Sequence, residues 1–337
     1  MNAEDNYNYV ISYGKVHVPV YRLYARPLTG VTPVPESSFT GRENILFAAE
    51  IDVEVFGENF LPSYTKGDNS MVVATDTMKN FILRQALAFG GSTLEGFLEQ
   101  LGHQFLATYP EMERLQMTGR ELPFTPAQVP QGGQEGAGKL TPLPTQVSRD
   151  VSLPASFGSS NVLFSRSHDD YATATMDFAS DGGTTRITAH RCSRVGMQLF
   201  KVTGSAFTHF VRDAYTTLPE RGDRPLFIYL DVHWKYTDVA DMQTRYIPSE
   251  QVRDVAQTVF HEFVSESIQH LVHEMGLRLL ERFPQMAEVS FMGNNLTRDP
   301  VGASETDPKQ KVYSDPFPAY GLIKLTMSRK TEASGRK

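Results

Sequence analysis

The feature that most constrains the fold is a resemblance of the chain to itself. The segment Phe105 to Met112, which ends Tyr109-Pro110-Glu111-Met112, resembles Leu279 to Met286, which ends Phe283-Pro284-Gln285-Met286. The offset is 174 residues, and other features keep it. Leu94, Leu98, Leu101 and Phe105 answer to Ile268, Val272, Met275 and Leu279, and Thr75 answers to Ser249. Similarity at a fixed offset reads as a duplicated unit.

Each half reads strand, strand, helix, helix, strand, strand. Val16, Val18 and Val20 alternate with His17 and Pro19, and Ile51, Val53 and Val55 with Asp52 and Glu54, which is the period of a strand with one buried face. Pro19 cannot donate to a ladder, so its strand should have an open edge. Met78, Phe81, Ile82, Gln85 and Phe89 line one side of a helix starting near Thr75, and Gly90-Gly91 stops it. A second helix spans about Leu94 to Tyr109. In the second half Leu230, Val232 and Trp234 alternate with polar residues, two helices follow Ser249, and strands close the unit near Val289 and Leu322. Thr75 and Ser249 are expected as helix N-caps. Neighbouring strands joined by short turns imply antiparallel sheets with helices on one face, an α+β class. The boundary should fall near Asp181-Gly182-Gly183, giving units 8–181 and 182–328 and a frayed tail, 329–337. Residues 122 to 150, rich in Pro, Gly and Gln, read as a long loop.

Composition narrows the function. The net charge of -7 disfavours nucleic acid, which needs a basic stripe to displace counterions. No apolar run approaches a bilayer span, and the acidic N-terminus is unlike a secretory signal, so no membrane partner and a cytoplasmic location are expected. Cys192 is the single cysteine, which excludes an intrachain disulfide and cysteine-based metal sites within one chain.

Several motifs read as structural. Gly133 to Lys139 has phosphate-loop spacing, but Leu140 follows instead of Ser or Thr, and neither strand nor helix frames it. His270 and His273 lie three apart on a helix, without a third ligand at a known spacing, and read as solvated or packing residues. Ser167-His168-Asp169-Asp170 reads as an exposed turn, and no G-x-S-x-G elbow is present. More pointed is the run Asp68-Asn69-Ser70-Met71-Val72-Val73-Ala74-Thr75-Asp76, which delivers a hydroxyl and a carboxyl to a helix N-terminus, where backbone amides can hold an anion.

Tyr13-Gly14-Lys15, Tyr64 to Ser70, Val73 to Asn80, Arg212-Asp213-Ala214-Tyr215-Thr216-Thr217-Leu218 and Tyr320 to Lys324 together resemble the urate oxidase family, over about residues 8 to 328. The resemblance implies the tunnelling fold, with two tandem antiparallel-sheet-plus-two-helix units per chain. It also implies a homotetramer whose barrel carries active sites at subunit interfaces, and oxidation of urate by dioxygen and water to 5-hydroxyisourate and hydrogen peroxide without any cofactor or metal. By position, Lys15 and Thr75 look like the catalytic base dyad. Thr75 and Asp76 would meet the substrate from one subunit, and Phe207, Arg224, Ile268, Gln269 and Asn295 from its neighbour. The residue types suit a flat purine anion: Phe207 can stack on it, Arg224 can fork two hydrogen bonds to it, and Gln269 offers a donor and an acceptor. Asn295 and Thr75 would hold dioxygen and then water above the ring.

The sequence departs from the family pattern at Thr297, where many members carry a catalytic His. His17 is expected to share a strand face with Lys15, two residues away, as an ordinary solvated histidine. Two other functions stay open. One is another tunnelling-fold purine or pterin enzyme of cyclohydrolase or aldolase type, which the lone cysteine disfavours where zinc is needed. The other is a non-catalytic purine-binding protein.

Overall fold

The computed structural model describes residues 7–131, 156–166, 169–296, 298, 300–314 and 319–329. The elements run β1 (Ser12–Leu23), β2 (Leu46–Phe56), α1 (Leu61–Thr65), α2 (Thr75–Ala88), α3 (Leu94–Thr108), β3 (Arg114–Glu121), β4 (Phe124–Gln131), β5 (Ser156–Arg166), β6 (Tyr171–Asp181), β7 (Thr184–Lys201), β8 (Leu226–Tyr236), α4 (Asp241–Thr244), α5 (Ser249–Glu262), α6 (Ile268–Arg282), β9 (Met286–Asn295), β10 (Pro300–Ala303), β11 (Lys311–Tyr313) and β12 (Gly321–Ser328). The helices keep the repeat. Both α2 and α5 have 14 residues and both α3 and α6 have 15. Each pair starts 174 residues apart, 249 − 75 and 268 − 94.

The chain divides into two compact units. The larger, Met1–Leu122 with Asp169–Lys337, is built on one antiparallel sheet of eight strands in the order β1-β2-β3-β6-β7-β8-β9-β12. β1 and β12 are its edges, as Pro19 in β1 requires. The expected boundary at Asp181 falls in the tight β6–β7 turn, where Gly182 and Gly183 take φ of 57° and 86°, conformations open to glycine. The smaller unit, Pro123–His168, contains the β4–β5 ribbon. Its first strand corrects the expected loop from 122. Pro126 and Pro130 blur the alternation in sequence, yet a two-stranded ribbon tolerates them, because both its strands are edges. The phosphate-loop-like string, His168, Thr297 and the tail from residue 330 lie outside the described residues.

The helices cover one face of the large sheet. Ile51, Val53, Val55, Leu115, Met117, Met176, Phe178, Ile228, Val232, Trp234 and Val289 are buried on it, against Ile82, Phe97, Leu101, Val255, Leu271 and Met275 from the helices. Gly102 explains how closely α3 approaches. A Cβ there would stand 2.4 Å from the Phe178 ring, so the helix can sit this low only without a side chain. Gly102→Ala is expected to destabilise the protein by about 1–3 kcal/mol through overpacking, despite the better helix propensity of alanine. Chemical denaturation checks this, and an unchanged midpoint counts against the packing account.

A strap without regular structure, residues 24–44, crosses to the second-half helices. Gln251 Nε2 donates to Thr32 O at 2.9 Å and Phe39 O at 3.1 Å. Glu36 accepts from Arg278 Nη1 at 2.9 Å and from Arg282 Nε at 2.9 Å. Burial pushes the Glu36 carboxyl up, but the two guanidinium groups outweigh it and hold the pKa at about 2.

Candidate active site

The first-half group is set by strand register. Lys15 pairs with Val53, and Tyr13 with Val55, both buried beneath the helices. Directly paired residues share a face, so Lys15 and Tyr13 stand on the helix-covered side. The Tyr13 hydroxyl accepts from Val73 N at 3.1 Å, and its ring meets Phe60 edge-on at 5.0 Å. That bond ties β1 to the short segment that enters α2 two residues later. Thr75 and Asp76 open the helix. Asp76 accepts from Lys79 and from Asn80 Nδ2, at 3.0 Å for the latter. The Lys79 hydrogen bond is the largest influence holding its carboxyl below the usual range, and the charge of Lys15 acts in the same direction. Lys15, Thr75 and Asp76 are thus brought to one place.

The expected capping is corrected. The N-cap of α2 is Ala74 and that of α5 is Pro248, each extended and without a side-chain cap. The chain reaches both helices in strand-like conformation, so Thr75 and Ser249 become the first helical residues. The Thr75 hydroxyl is therefore not spent on its own helix. The caps with side-chain bonds belong to the following helices: Thr93 accepts from Gly96 N at 3.2 Å and Ser267 from His270 N at 3.1 Å.

His17 is corrected as well. Lys15 faces Val53 and Val18 faces Ile51, so Val16 and His17 together oppose Asp52 in a bulge, with His17 at φ 57°. The extra residue reverses the alternation. His17 leaves the Lys15 face: its amide donates to Asp52 Oδ1 at 2.6 Å and its Nδ1 lies 2.8 Å from Glu50 Oε1.

The second-half group gathers at the other end of the sheet. Phe207 pairs with Arg221, N to O at 2.8 Å and back at 3.0 Å. Arg224 N donates to Ser205 O at 2.8 Å, and the Arg224 guanidinium lies 5.4 Å from the Phe207 ring centre. On the far side of the same segment Ser205 bridges Ser265, and Ala206 N donates to Ser265 O at 2.8 Å. Ser265 leads within four residues to Ile268 and Gln269, the first turn of α6, where Ile268 is buried and Gln269 exposed. Asn295 ends β9, paired with Ile228 and Gly321. Two polar atoms here are buried and unbonded, Arg224 Nε and Asn295 Oδ1. Such groups are costly to leave unpaired, and they point to a polar ligand. Burial lowers the Arg224 pKa, and Arg221 adds to this.

The two groups do not meet within one chain. β1 lies five strands from β8, roughly 24 Å across the sheet. The row through Lys15 runs by Val53, Met117, Met176 and His190, beside the Tyr236 end of β8, whereas Arg224 precedes the Leu226 end.

The sequence left Tyr13, Lys201 and Asp223 without roles. Lys201 Nζ donates to Phe260 O and Phe263 O, both at 2.8 Å, fastening the end of α5 beside Ser265. Its partners lie about 60 residues on and share no spacing signature. His270 and His273 are exposed and flank Glu274, at 4.0 and 3.1 Å. Among the described residues no three His, Cys, Asp or Glu side chains are grouped to hold a metal ion, and no helix is long and apolar enough to cross a membrane.

The chain is similar to known proteins of one family. The Uricase family profile matches residues 55–147 and 190–324. A bifunctional uric acid degradation protein of Bacillus subtilis (strain 168) is 42% identical over 95% of this chain, which spans 61% of that protein's length. The uricase of Haloferax volcanii is 43% identical, covering 95% of this chain and 98% of that one. The crystal structure of the urate oxidase of Bacillus sp. TB-90 matches with a TM-score of 0.86 at 40% identity, over 95% of this chain and 100% of that one. The α+β architecture is the tunnelling fold, and the chain belongs to the uricase family.

Proposed function

We propose that the protein oxidises urate with dioxygen and water to 5-hydroxyisourate and hydrogen peroxide, at sites shared between copies of the chain in a homotetramer. The observation that carries this is the separation of the two residue groups. Lys15, Thr75 and Asp76 lie at one corner of the sheet, and Phe207, Arg224, Ile268, Gln269 and Asn295 at the other. Each is half a site, and only a second copy can bring them together. The open edges β1 and β12 offer the surface for such an assembly, with Val16, Tyr21, Leu23 and Leu322 each exposed by 59–65%. The chain is read as two tandem units, 8–181 and 182–328.

The chemistry follows from the side chains. Phe207 stacks on the purine while Arg224 and Gln269 hold its edges, and the anion satisfies the orphaned Arg224 Nε. Lys15 takes a proton relayed by the Thr75 hydroxyl. The electron-rich dianion then reduces dioxygen, and Asn295 and Thr75 hold the oxygen species above the ring. A hydroperoxide loses hydrogen peroxide, and water adds in its place. No step requires a metal or an organic cofactor.

The test uses purified protein with urate, air and a chelator, following urate absorbance and peroxide. One peroxide per urate consumed is expected. A second arm tests the shared site. Lys15→Met and Arg224→Ala are each made alone and then co-expressed. If each site takes its lysine from one chain and its arginine from another, random mixing restores roughly a quarter of the sites. Mixed assemblies as inactive as either parent would remove the shared-site reading, and urate binding without turnover would remove the catalytic one.

A further inference from the structure

We propose that Asp223 is a positioning residue for the purine-binding half of the site, acting through the backbone that frames Arg224 and Phe207. The proposal rests on the functional reading above and assigns a role that the recognition of Arg224 alone leaves open.

Arg224 and Phe207 belong to neither helix nor strand, so something other than a ladder must fix them. Asp223 does this from the position just before the arginine. Its Oδ1 accepts from Gly204 N at 2.8 Å, and its Oδ2 from Thr203 Oγ1 at 2.6 Å. The amides of Ser205 and Arg224 also bear on the carboxylate. One side chain therefore collects donors from both arms of the loop, and the arms then pair directly through Arg224 N to Ser205 O and Phe207 with Arg221. The hydrogen bond from Thr203 is the largest influence holding the Asp223 carboxyl below its usual range, so it is ionised at neutral pH. A carboxylate suits the place because both its oxygens are acceptors, and every group around it donates.

The consequence is selective. With the clasp gone, residues 203–205 lose their anchor, and the Arg224 and Phe207 side chains lose their fixed relation, 5.4 Å apart. Lys15 and Thr75 reach the same site from the neighbouring copy of the chain, on a backbone that makes no contact with this clasp in its own chain, and keep their positions. The loss therefore falls on purine affinity and spares the chemical step.

The experiment compares wild type, Asp223→Ala, Asp223→Asn and Thr203→Val, measuring kcat and KM for urate and the inhibition constant of xanthine as a competitive probe. Asp223→Ala is expected to raise KM and the xanthine constant together by about tenfold or more, with kcat within about threefold. Thr203→Val should raise both less, and Asp223→Asn should recover part of the loss, since its amide oxygen still accepts from Gly204. A fall in kcat at constant KM, or variants indistinguishable from wild type, overturns the proposal. Should Asp223→Ala fail to fold, Thr203→Val decides alone, and unchanged constants in it are enough to reject the clasp. Wild-type protein that neither consumes urate nor binds xanthine overturns the functional reading, and the clasp with it. An active wild type with indifferent variants removes the clasp alone.

Discussion

Replacing Lys15 by methionine is expected to lower urate turnover by about a thousandfold or more while leaving xanthine affinity within about twofold. The split follows from where the side chain stands. Lys15 shares the helix-covered face of β1 with Tyr13, and the Tyr13 hydroxyl fastens the segment that delivers Thr75. Its charge is felt by Asp76. Arg224, Phe207 and Asn295 do not lie near it in its own chain; Phe207 and Arg224 stand in the connection that enters β8, and Asn295 ends β9 beside Ile228. Methionine keeps the length and the apolar stem but cannot accept a proton, so binding survives and deprotonation does not. Arg224→Ala should fail the other way, with weakened binding of both purines, because it removes the fixed charge that faces the anion. Steady-state kinetics and a competition assay on both variants are sufficient. A Lys15→Met enzyme within tenfold of wild type would remove the base assignment.

How much of this could be read before the structure depends on the range of the interactions involved. The helices were legible to the residue in their offset, because apolar spacing along a helix is local information. The caps lie one residue earlier than composition suggests, because Thr and Ser favour the N-cap position in general, whereas Ala74 and Pro248 are fixed by the extended entry of the chain. Alternation puts His17 on the Lys15 face only if the ladder is unbroken, and one bulge opposite Asp52 inverts it. The β4 strand was hidden by Pro126 and Pro130. The site residues came from a family pattern rather than from periodicity. What that pattern could not give was the support around them. The grip of Asp223 on Thr203 and Gly204, that of Lys201 on Phe260 and Phe263, and the Ser205–Ser265 bridge all join residues 19 to 62 positions apart that carry no spacing rule.

The second large effect lies in the core, at Glu95. This residue opens α3 and is 3% exposed, and its Oε2 has no hydrogen-bond partner. Arg42 from the strap is nearby, but it already serves Glu121 of β3 and, at 3.3 Å, Glu250 of α5. The Cys192 thiol of β7, Tyr236 of β8 and Tyr246 after α4 all feel its charge. Arg194 of β7 also approaches Glu121, at 3.8 Å, but it is engaged by Asp170, and of the two guanidinium groups it is Arg42 whose charge acts on Glu95. Burial is the largest influence on Glu95, its own amide and Arg42 oppose it, Glu121 and Glu250 reinforce it, and the pKa rises to about 7. The sign is that of a raised carboxyl. Below pH 4.5 Glu95 is protonated both folded and unfolded, and the fold keeps its full stability. Between 4.5 and about 7 the unfolded chain ionises first, and stability is lost as pH rises, by about 3 kcal/mol in total. Glu36, held at about 2, acts only at lower pH, where stability falls as the medium becomes more acid. The lowered pKa values of half-buried His190 and His233 tilt the curve the other way near pH 6, equally in wild type and variant. Glu95→Gln stays neutral throughout. Its stability relative to wild type should therefore climb from pH 5 to pH 8 by roughly 2–3 kcal/mol, read as the difference between urea denaturation curves at matched protein concentration. Parallel pH profiles for the two proteins would show that Glu95 is ionised in the folded state at neutral pH, with its charge compensated by Arg42.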